Sequence, residues 1–508
     1  MSRLVSLLLP VLLLLVSQAI ATLFPESNQS APKAALQACN QLAVSLGSPI
    51  LQTSGNSYEK AATNAWNLEN GQYQPTCIVF PTTSKHVQIA MKAIYAAKSH
   101  YAVQAGSHSA MKGWNTVQDG VLIIFSNMRE ATYDPVKDSI TLGPGVHWHD
   151  AVTALEPFGV APVGGRVGDV GTGLLLGGGL SWLSPSQGYA TDNFKELDVV
   201  LVNGDLVTAT ATNQFSDLFR ALKGGGDRFG IVTRYELYPV HTGTKDEKNW
   251  FGGMLLAGKY QPIVIQFNSS AEALLNATAR YVREIDDPKA VLLSTFSNAR
   301  TGDSLAPLYL MVLFYNGVNL PEEIFGDFLS IPAMSSTLGP MSYFDVSETL
   351  GLGNDRGYVQ RFGASALVGD EETYLEAFDH WMNFTQAFQG DFNITTLAFT
   401  PVPNSQIQAG RAKGGNIINA PHGGFAAVQL AEQFNAGLNR IPPQVLEGLD
   451  LLFEQIPPSP GLPLYLSECD PRQKVFESYG DYELLKQIYA KYDPEKFNVK
   501  HTQGPVGL

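Results

Sequence analysis

Residues 101 to 113 hold the first group that could do chemistry. An apolar alternation, Tyr101, Val103 and Ala105 with Gln104 between, runs into Gly106-Ser107, and His108 follows with Ser109 behind it. Small residues let a turn approach a ligand closely and aim its N–H groups at anionic oxygens. His108 then stands where a ring nitrogen could reach whatever those N–H groups hold; otherwise it is a plain loop histidine. Further on, Gly164-Gly165-Arg166-Val167-Gly168-Asp169-Val170-Gly171-Thr172-Gly173 leads into Leu174-Leu175-Leu176-Gly177-Gly178-Gly179-Leu180-Ser181-Trp182. A solvated linker would not carry that much apolar surface. A buried, turn-rich segment must find partners for its N–H groups, and a pyrophosphate would satisfy them. The spacing does not suit a Rossmann fingerprint, and no Gly-x-x-x-x-Gly-Lys-Ser/Thr exists. His147 and His149 share one face of an extended segment, but two imidazoles without a third ligand make a poor metal site, so no metal is expected.

The elements that must position these groups alternate. Residues 22 to 66 read as a leader with a helical stretch at 34–46. Cys77-Ile78-Val79-Phe80 is an apolar strand, and Pro81 with Thr82, Thr83 and Ser84 starts a helix whose Val87, Ala90, Met91 and Ile94 fall at helical spacing. Strands follow at 101–105, 120–125 and 139–142. Beyond the glycine-rich stretch come strands at 199–202 and 206–210 around the turn Asn203-Gly204-Asp205. Residues 308–314 read as a buried strand and 372–388 as an amphipathic helix. Strands mixed with helices in this order predict an α+β fold rather than a doubly wound one.

Taken in order, the histidine turn, the glycine-rich stretch, Gly188-Tyr189-Ala190-Thr191-Asp192-Asn193 and the segment from Leu218 to Thr233 resemble the flavin domain of the vanillyl-alcohol-oxidase/p-cresol-methylhydroxylase (PCMH) class. The berberine-bridge-enzyme-like branch is the most similar, and the C-terminal Tyr465-Leu466-Ser467-Glu468-Cys469-Asp470, Ser478-Tyr479-Gly480 and Lys491-Tyr492-Asp493-Pro494 agree with it. The resemblance implies a PCMH-type two-part FAD-binding domain with an inserted substrate domain, a sheet covered by helices. Its divisions here are a signal peptide at 1–21, the leader at 22–66, the FAD domain at 67–242, the substrate domain at 243–455, and a segment at 456–508 returning to the FAD domain.

The same resemblance implies FAD bound covalently through His108 at the flavin 8α-methyl carbon. Some relatives add a second bond from a cysteine; the corresponding position here is Val167, so a single link is expected. Cofactor contacts are carried over to Gln104, Ala105, Gly106, Ser107, Ser109, Val170, Gly171, Gly173, Gly177, Gly178, Asp192, Asn193, Gly230, Ile231 and Val232. For the side chains of Asp192 and Asn193 a turn cap, and for those of Ile231 and Val232 ordinary core strand, are equally good readings. The family's C-terminal Tyr-x-Asn-Tyr becomes Tyr465-Leu466-Ser467-Glu468, which leaves Tyr465 or Glu468 as the base, with Gln429 a further candidate. A carboxylate in an apolar pocket can have a raised pKa and act as a base near neutrality.

At 508 residues, 44% hydrophobic and 16% charged, the chain is globular and long enough for two interlocked domains. A net charge of −14 with no basic run excludes a nucleic-acid role. Arg3, the apolar run from Leu4 to Val16 and Ala19-Ile20-Ala21 read as a signal peptide cleaved after Ala21. Pro10 and the short run argue against a membrane anchor. A secreted or secretory-pathway protein is therefore expected, with no membrane span after cleavage. Sequons at Asn28, Asn268, Asn276, Asn383 and Asn393 suit that route. In an oxidising compartment two of the three cysteines pair; Cys39–Cys77 is expected, where the resembled family carries a bridge, and Cys469 stays free. The expected function is an FAD-linked oxidase. It takes a hydride from a small secondary-metabolite intermediate, a polyketide or alkaloid, and O2 reoxidises the flavin. An oligosaccharide oxidase, a flavin-containing cyclase without net redox, and a non-catalytic binding protein on the same scaffold are the alternatives.

Overall fold

The computed structural model describes residues 30–257, 268–505 and 507–508; the expected signal peptide and the sequon at Asn28 lie outside the described residues. Short apolar runs build the first sheet: β1 (Leu51–Gln52), β2 (Cys77–Val79), β3 (Tyr101–Gln104) and β4 (Val121–Ile124). They lie in the order β1-β2-β4-β3, with β2 and β3 both parallel to β4. Parallel strands need a crossover, supplied by the helix Ser84–Ala97, which Thr83 caps and which buries Val87, Ala90, Met91 and Ile94. β3 is the edge strand, so its C-terminal end is free to turn away from the sheet and deliver His108. A disulfide joins Cys39, on the helix Ser30–Ser45, to Cys77 at the start of β2; Cys469 is free and buried.

The second sheet contains β5 (Ala131–Asp134), β6 (Ser139–Leu142), β8 (Phe194–Val200), β9 (Leu206–Thr210) and β10 (Ile231–Leu237), all antiparallel in the order β5-β6-β10-β8-β9. β7 (Val160–Ala161) and β11 (Val240–His241) form a separate pair. The strand expected at 199–202 starts earlier, at Phe194, because Phe194 and Leu197 are buried too.

The third sheet is antiparallel and has eight strands. They are β12 (Trp250–Ala257), β13 (Ala290–Thr301), β14 (Ser304–Tyr315), β15 (Ala333–Ser336), β16 (Gly339–Met341), β17 (Gln360–Leu367), β18 (Phe392–Val402) and β19 (Phe425–Phe434). Strand alternation sorts its faces. Leu292 and Phe296 on β13, Leu397 and Phe399 on β18, and Val428 and Leu430 on β19 pack in one core. The helices Asn268–Glu284, Glu371–Ala387 and Pro443–Gln455 cover that core. Leu293, Ala398 and Ala427 belong to the core shared with the first half of the chain. After the last of these helices the chain turns back, and the helix Tyr482–Tyr492 packs on Ser216–Ala221, where Lys491 and Tyr492 both bind Asp217. The result is an α+β architecture in which one sheet face roofs the other two sheets.

The sequons fall in regular structure. Asn268 opens a helix. Asn276 is half-buried, with its carboxamide oxygen shielded. Asn393 donates to Gln433, and Asn383 presents an exposed side chain. Among the described residues no helix is long and apolar enough to cross a membrane.

One buried charge stands apart. Glu432 on β19 lies opposite Arg361 on β17, both on the helix-covered side, and neither of its carboxylate oxygens has a hydrogen-bond partner. Arg361 instead binds Asp470. Burial pushes the Glu432 carboxyl from 4.5 up to about 8, against the pull of Arg361. A folded-state pKa raised above the unfolded one makes the native state bind the extra proton between those values, so stability falls as pH rises through that window. Glu432→Gln removes this slope. Its Tm relative to the native chain is expected to be higher at about pH 8 than at about pH 5, read by thermal denaturation; a pH-independent difference would contradict the assignment.

Candidate active site

The site begins where two loops cross. After β3 the chain turns through Ala105 and Gly106, and a Cβ on Gly106 would lie 2.5 Å from Gly171 N; one on Gly171 would lie 2.4 Å from Gly106 N. Only glycine fits at either position, so the backbones of the two loops touch. Ser107 has φ 59°, a left-handed conformation that costs a residue with a Cβ about 1–2 kcal/mol. It is pinned there: its hydroxyl donates to Asn64 O (3.0 Å) and accepts from Arg356 Nη1 (3.2 Å), and its carbonyl accepts from Trp66 N (3.0 Å).

His108 is held on two sides. Its ring stacks on Trp66, centroids 4.2 Å apart and planes 16° apart. Its Nε2 lies 2.8 Å from Gly353 O. A carbonyl can only accept, so Nε2 carries the hydrogen and Nδ1 keeps a free lone pair. Burial lowers the imidazole pKa below its ordinary value, which keeps the ring neutral at physiological pH. The backbone N–H groups of Gly106, Ser107 and Ser109 donate to no protein acceptor among the described residues.

A loop at 350–357 fixes the arrangement from above. Gly168 N donates to Gly351 O (3.0 Å) and Asp169 N to Leu352 O (2.8 Å). Arg356 reaches Asp169 at 2.6 Å while also holding Ser107. His147 and His149 pair with carboxylates, Asp169 at 3.1 Å and Glu348 at 2.9 Å, and among the described residues no group of ligands could hold a metal ion.

The two loops open on a cavity of about 420 Å³. His108, Gly173, Gly177, Gly230, Ile231 and Val232 line it, as do Ala105, Gly106, Ser107, Ser109, Val170 and Gly171. Val167 lines the same space. At the far end the third sheet contributes Leu293, Thr295, Thr396, Ala398 and Gln429, and the C-terminal segment contributes Tyr465 and Glu468. The structure thus brings the three candidate catalytic residues together. Tyr465 Oη accepts from Leu180 N (3.0 Å), and burial pushes its phenol up to about 12, so it is protonated at neutral pH. Burial also raises the Glu468 carboxyl, while Arg166, 3.4 Å away, pulls it back.

Four expected cofactor contacts do not line this cavity. Gln104, the last residue of β3, is buried and donates to Asn115 O (3.3 Å). Gly178 packs toward Ile418. Asp192 caps the short turn Ala190–Asn193, accepting from Tyr189 N (2.9 Å) and Asn416 Nδ2 (2.9 Å), with Lys223 4.0 Å away. Asn193 donates to Tyr189 O and accepts from Lys413 Nζ (2.7 Å). The turn cap is the role the structure gives these last two residues. Sequence reasoning missed Trp66, which the leader places under His108, and Arg166, a cation inside a glycine-rich stretch. Thr295 and Thr396 were legible only as polar breaks in apolar strands.

The crossing makes a steric prediction. Gly171→Ala forces the loops apart and is expected to cost about 1–3 kcal/mol of stability along with flavin content. Gly173→Ala meets no protein atom within 4 Å but puts its methyl group into the cavity. It should keep the native Tm while lowering flavin content. Thermal denaturation with the absorbance ratio of flavin to protein checks both, and equal Tm values for the two variants would contradict the crossing.

Comparison with known proteins agrees with this geometry. A family described as "FAD binding domain" matches residues 75–210. An uncharacterized FAD-linked oxidoreductase of Arthroderma benhamiae is 33% identical over 393 residues, covering 75% of this chain and 74% of its own. The FAD-dependent monooxygenase drtC of Aspergillus calidoustus is 27% identical over 517 residues, covering 98% and 95%. Among solved structures, berberine bridge enzyme from Eschscholzia californica superposes with a TM-score of 0.74 at 15% identity, over 92% of this chain and 99% of that one, a likeness of fold. With the fold, the glycine crossing and these relatives in agreement, the chain belongs to the FAD-linked oxidoreductases, shares its fold with berberine bridge enzyme, and is an FAD-dependent enzyme.

Proposed function

We propose that the enzyme carries FAD on a single covalent bond from His108 and oxidises a small organic substrate seated between Tyr465, Glu468 and Gln429. The observation that carries this reading is the state of His108: a neutral ring, stacked on Trp66 with Nε2 tied to Gly353 O, facing the cavity beside unpaired backbone N–H groups. That leaves Nδ1 as the nucleophilic atom. FAD held there would supply a two-electron acceptor for a hydride from substrate, with O2 as the final oxidant.

The chain's own residues do the rest. The N–H groups of Gly106, Ser107 and Ser109, free of protein acceptors, would be available to anionic oxygens of the cofactor. Glu468, as the carboxylate, takes the proton that leaves a substrate hydroxyl or amine; protonated Tyr465 orients that group, and Gln429 offers an amide from the sheet. Leu293, Ala398 and Phe362 give the far end an apolar wall, which supports a secondary-metabolite intermediate such as a polyketide or alkaloid rather than a sugar chain. The Cys39–Cys77 disulfide supports folding in the secretory pathway.

A second reading, insertion of one oxygen atom into the substrate, is favoured by the name of the Aspergillus calidoustus relative, a monooxygenase aligned along nearly its whole length. Isotopic oxygen separates the two: hydrogen peroxide without label in the product supports the oxidase, and labelled product the monooxygenase.

Acid precipitation tests the covalent bond. Yellow colour is expected to stay in the pellet of the native enzyme and to move to the supernatant in His108→Ala. Colour released from the native enzyme would overturn the covalent bond, and a colourless preparation would overturn the FAD reading itself.

A further inference from the structure

Arg166 has no part in the reaction described so far. It lies on the second glycine-rich loop and reaches the substrate end of the cavity with its side chain 12% exposed. Its guanidinium sits 5.5 Å from the ring of Trp182. Nη1 donates to Thr400 Oγ1 at 2.9 Å, and Nη2 meets Glu468 Oε1 at 3.4 Å. Among the described residues that line the cavity, Arg166 is the one lysine or arginine. Asp227, the other acid there, accepts from Trp114 Nε1 in a different part of the cavity wall.

The Arg166–Glu468 contact is a poor match for what a guanidinium does best. Charge-assisted N–H···O bonds run to about 2.7–2.9 Å and are commonly bidentate; this one is longer and single. An arginine so sheltered, with donors left over and facing a cavity, is a receptor for two coplanar oxygens. Apart from Glu468 the walls around it are apolar or neutral, and among the described residues lining the cavity no other lysine or arginine competes for an anion.

We infer that Arg166 sets the substrate class: the enzyme takes a substrate bearing a carboxylate, which docks in the Arg166 fork while the carbon to be oxidised faces the flavin. The inference rests on the reaction proposed above and adds a role for Glu468. Arg166 is the charged group that holds the Glu468 carboxyl down, against burial, and the Tyr465 phenol lies beside it. A substrate carboxylate on Arg166 takes up that positive charge and leaves Glu468 the stronger base. The step then balances. The substrate C–H leaves as hydride to the bound flavin, the proton of the adjacent hydroxyl or amine goes to Glu468, a C=O or C=N bond forms, and the substrate carboxylate is unchanged.

The test uses the purified holoenzyme with benzoate and its neutral isostere benzamide, read by ligand-induced Tm shift and by perturbation of the flavin absorbance. Benzoate is expected to bind about tenfold or more tighter than benzamide. Arg166→Met should abolish that preference without changing benzamide binding, and Glu468→Gln, which removes the competing carboxylate, should tighten benzoate. Equal affinities in the native enzyme would overturn the inference, as would a loss in Arg166→Met that is the same for both probes. If Arg166→Met does not fold, the native preference and the Glu468→Gln result decide the matter alone. A preparation without flavin would instead sink the FAD reading, while the Tm shifts would still report on the carboxylate site.

Discussion

Two glycines, Gly106 and Gly171, touch backbone to backbone, and everything in the site is arranged around that contact. Because neither position tolerates a Cβ, the loop after β3 and the glycine-rich loop close to a distance no side chain would allow. Beside this contact Ser107 adopts a left-handed conformation, and the His108 ring stands in the wall of the cavity. Hydrogen bonds from Arg356 and Trp66 to Ser107 hold the strained residue, so the strain is sustained by groups from both halves of the chain.

The roof over this crossing follows from strand periodicity. On β13, β18 and β19, alternate residues face either the covering helices or the cavity. Leu292 and Phe296 therefore belong to the helix-covered core, whereas Leu293 and Thr295 line the cavity. A one-residue slip in these strands would exchange the two sets. The cavity is thus closed by parts distant in sequence, with His108 from the first sheet, Gln429 from the third and Glu468 from the C-terminal segment. Gly353 and Arg356 of the 350–357 loop tie the roof back to the histidine turn, through His108 and Ser107.

Much of this was legible in the chain. The α+β mixture and the strand ending at the histidine turn could be read because each has a local signature, alternation and a glycine break, while the Cys39–Cys77 pair was named because the resembled family carries a bridge there. Tyr465, Glu468 and Gln429 could be named because the resemblance to a family carried them, although nothing local brings them together. Asp192 and Asn193 could be read either way for a physical reason. A short acidic turn at the edge of a glycine-rich region looks the same whether it faces a cofactor or caps itself, and here Asn416 and Lys413, far along the chain, decide it. Trp66 and Arg166 were invisible as site residues because their roles depend on tertiary contacts, with His108 for one and with Thr400 and Glu468 for the other.

The central claim is that the histidine presented by the glycine crossing carries the flavin. Mass spectrometry of the tryptic peptide bounded by Lys98 and Lys112, which contains His108, tests it most directly. The account predicts that this peptide bears the added mass of one flavin, with fragmentation placing it on His108. Finding the peptide unmodified, or the flavin on another residue, would contradict it.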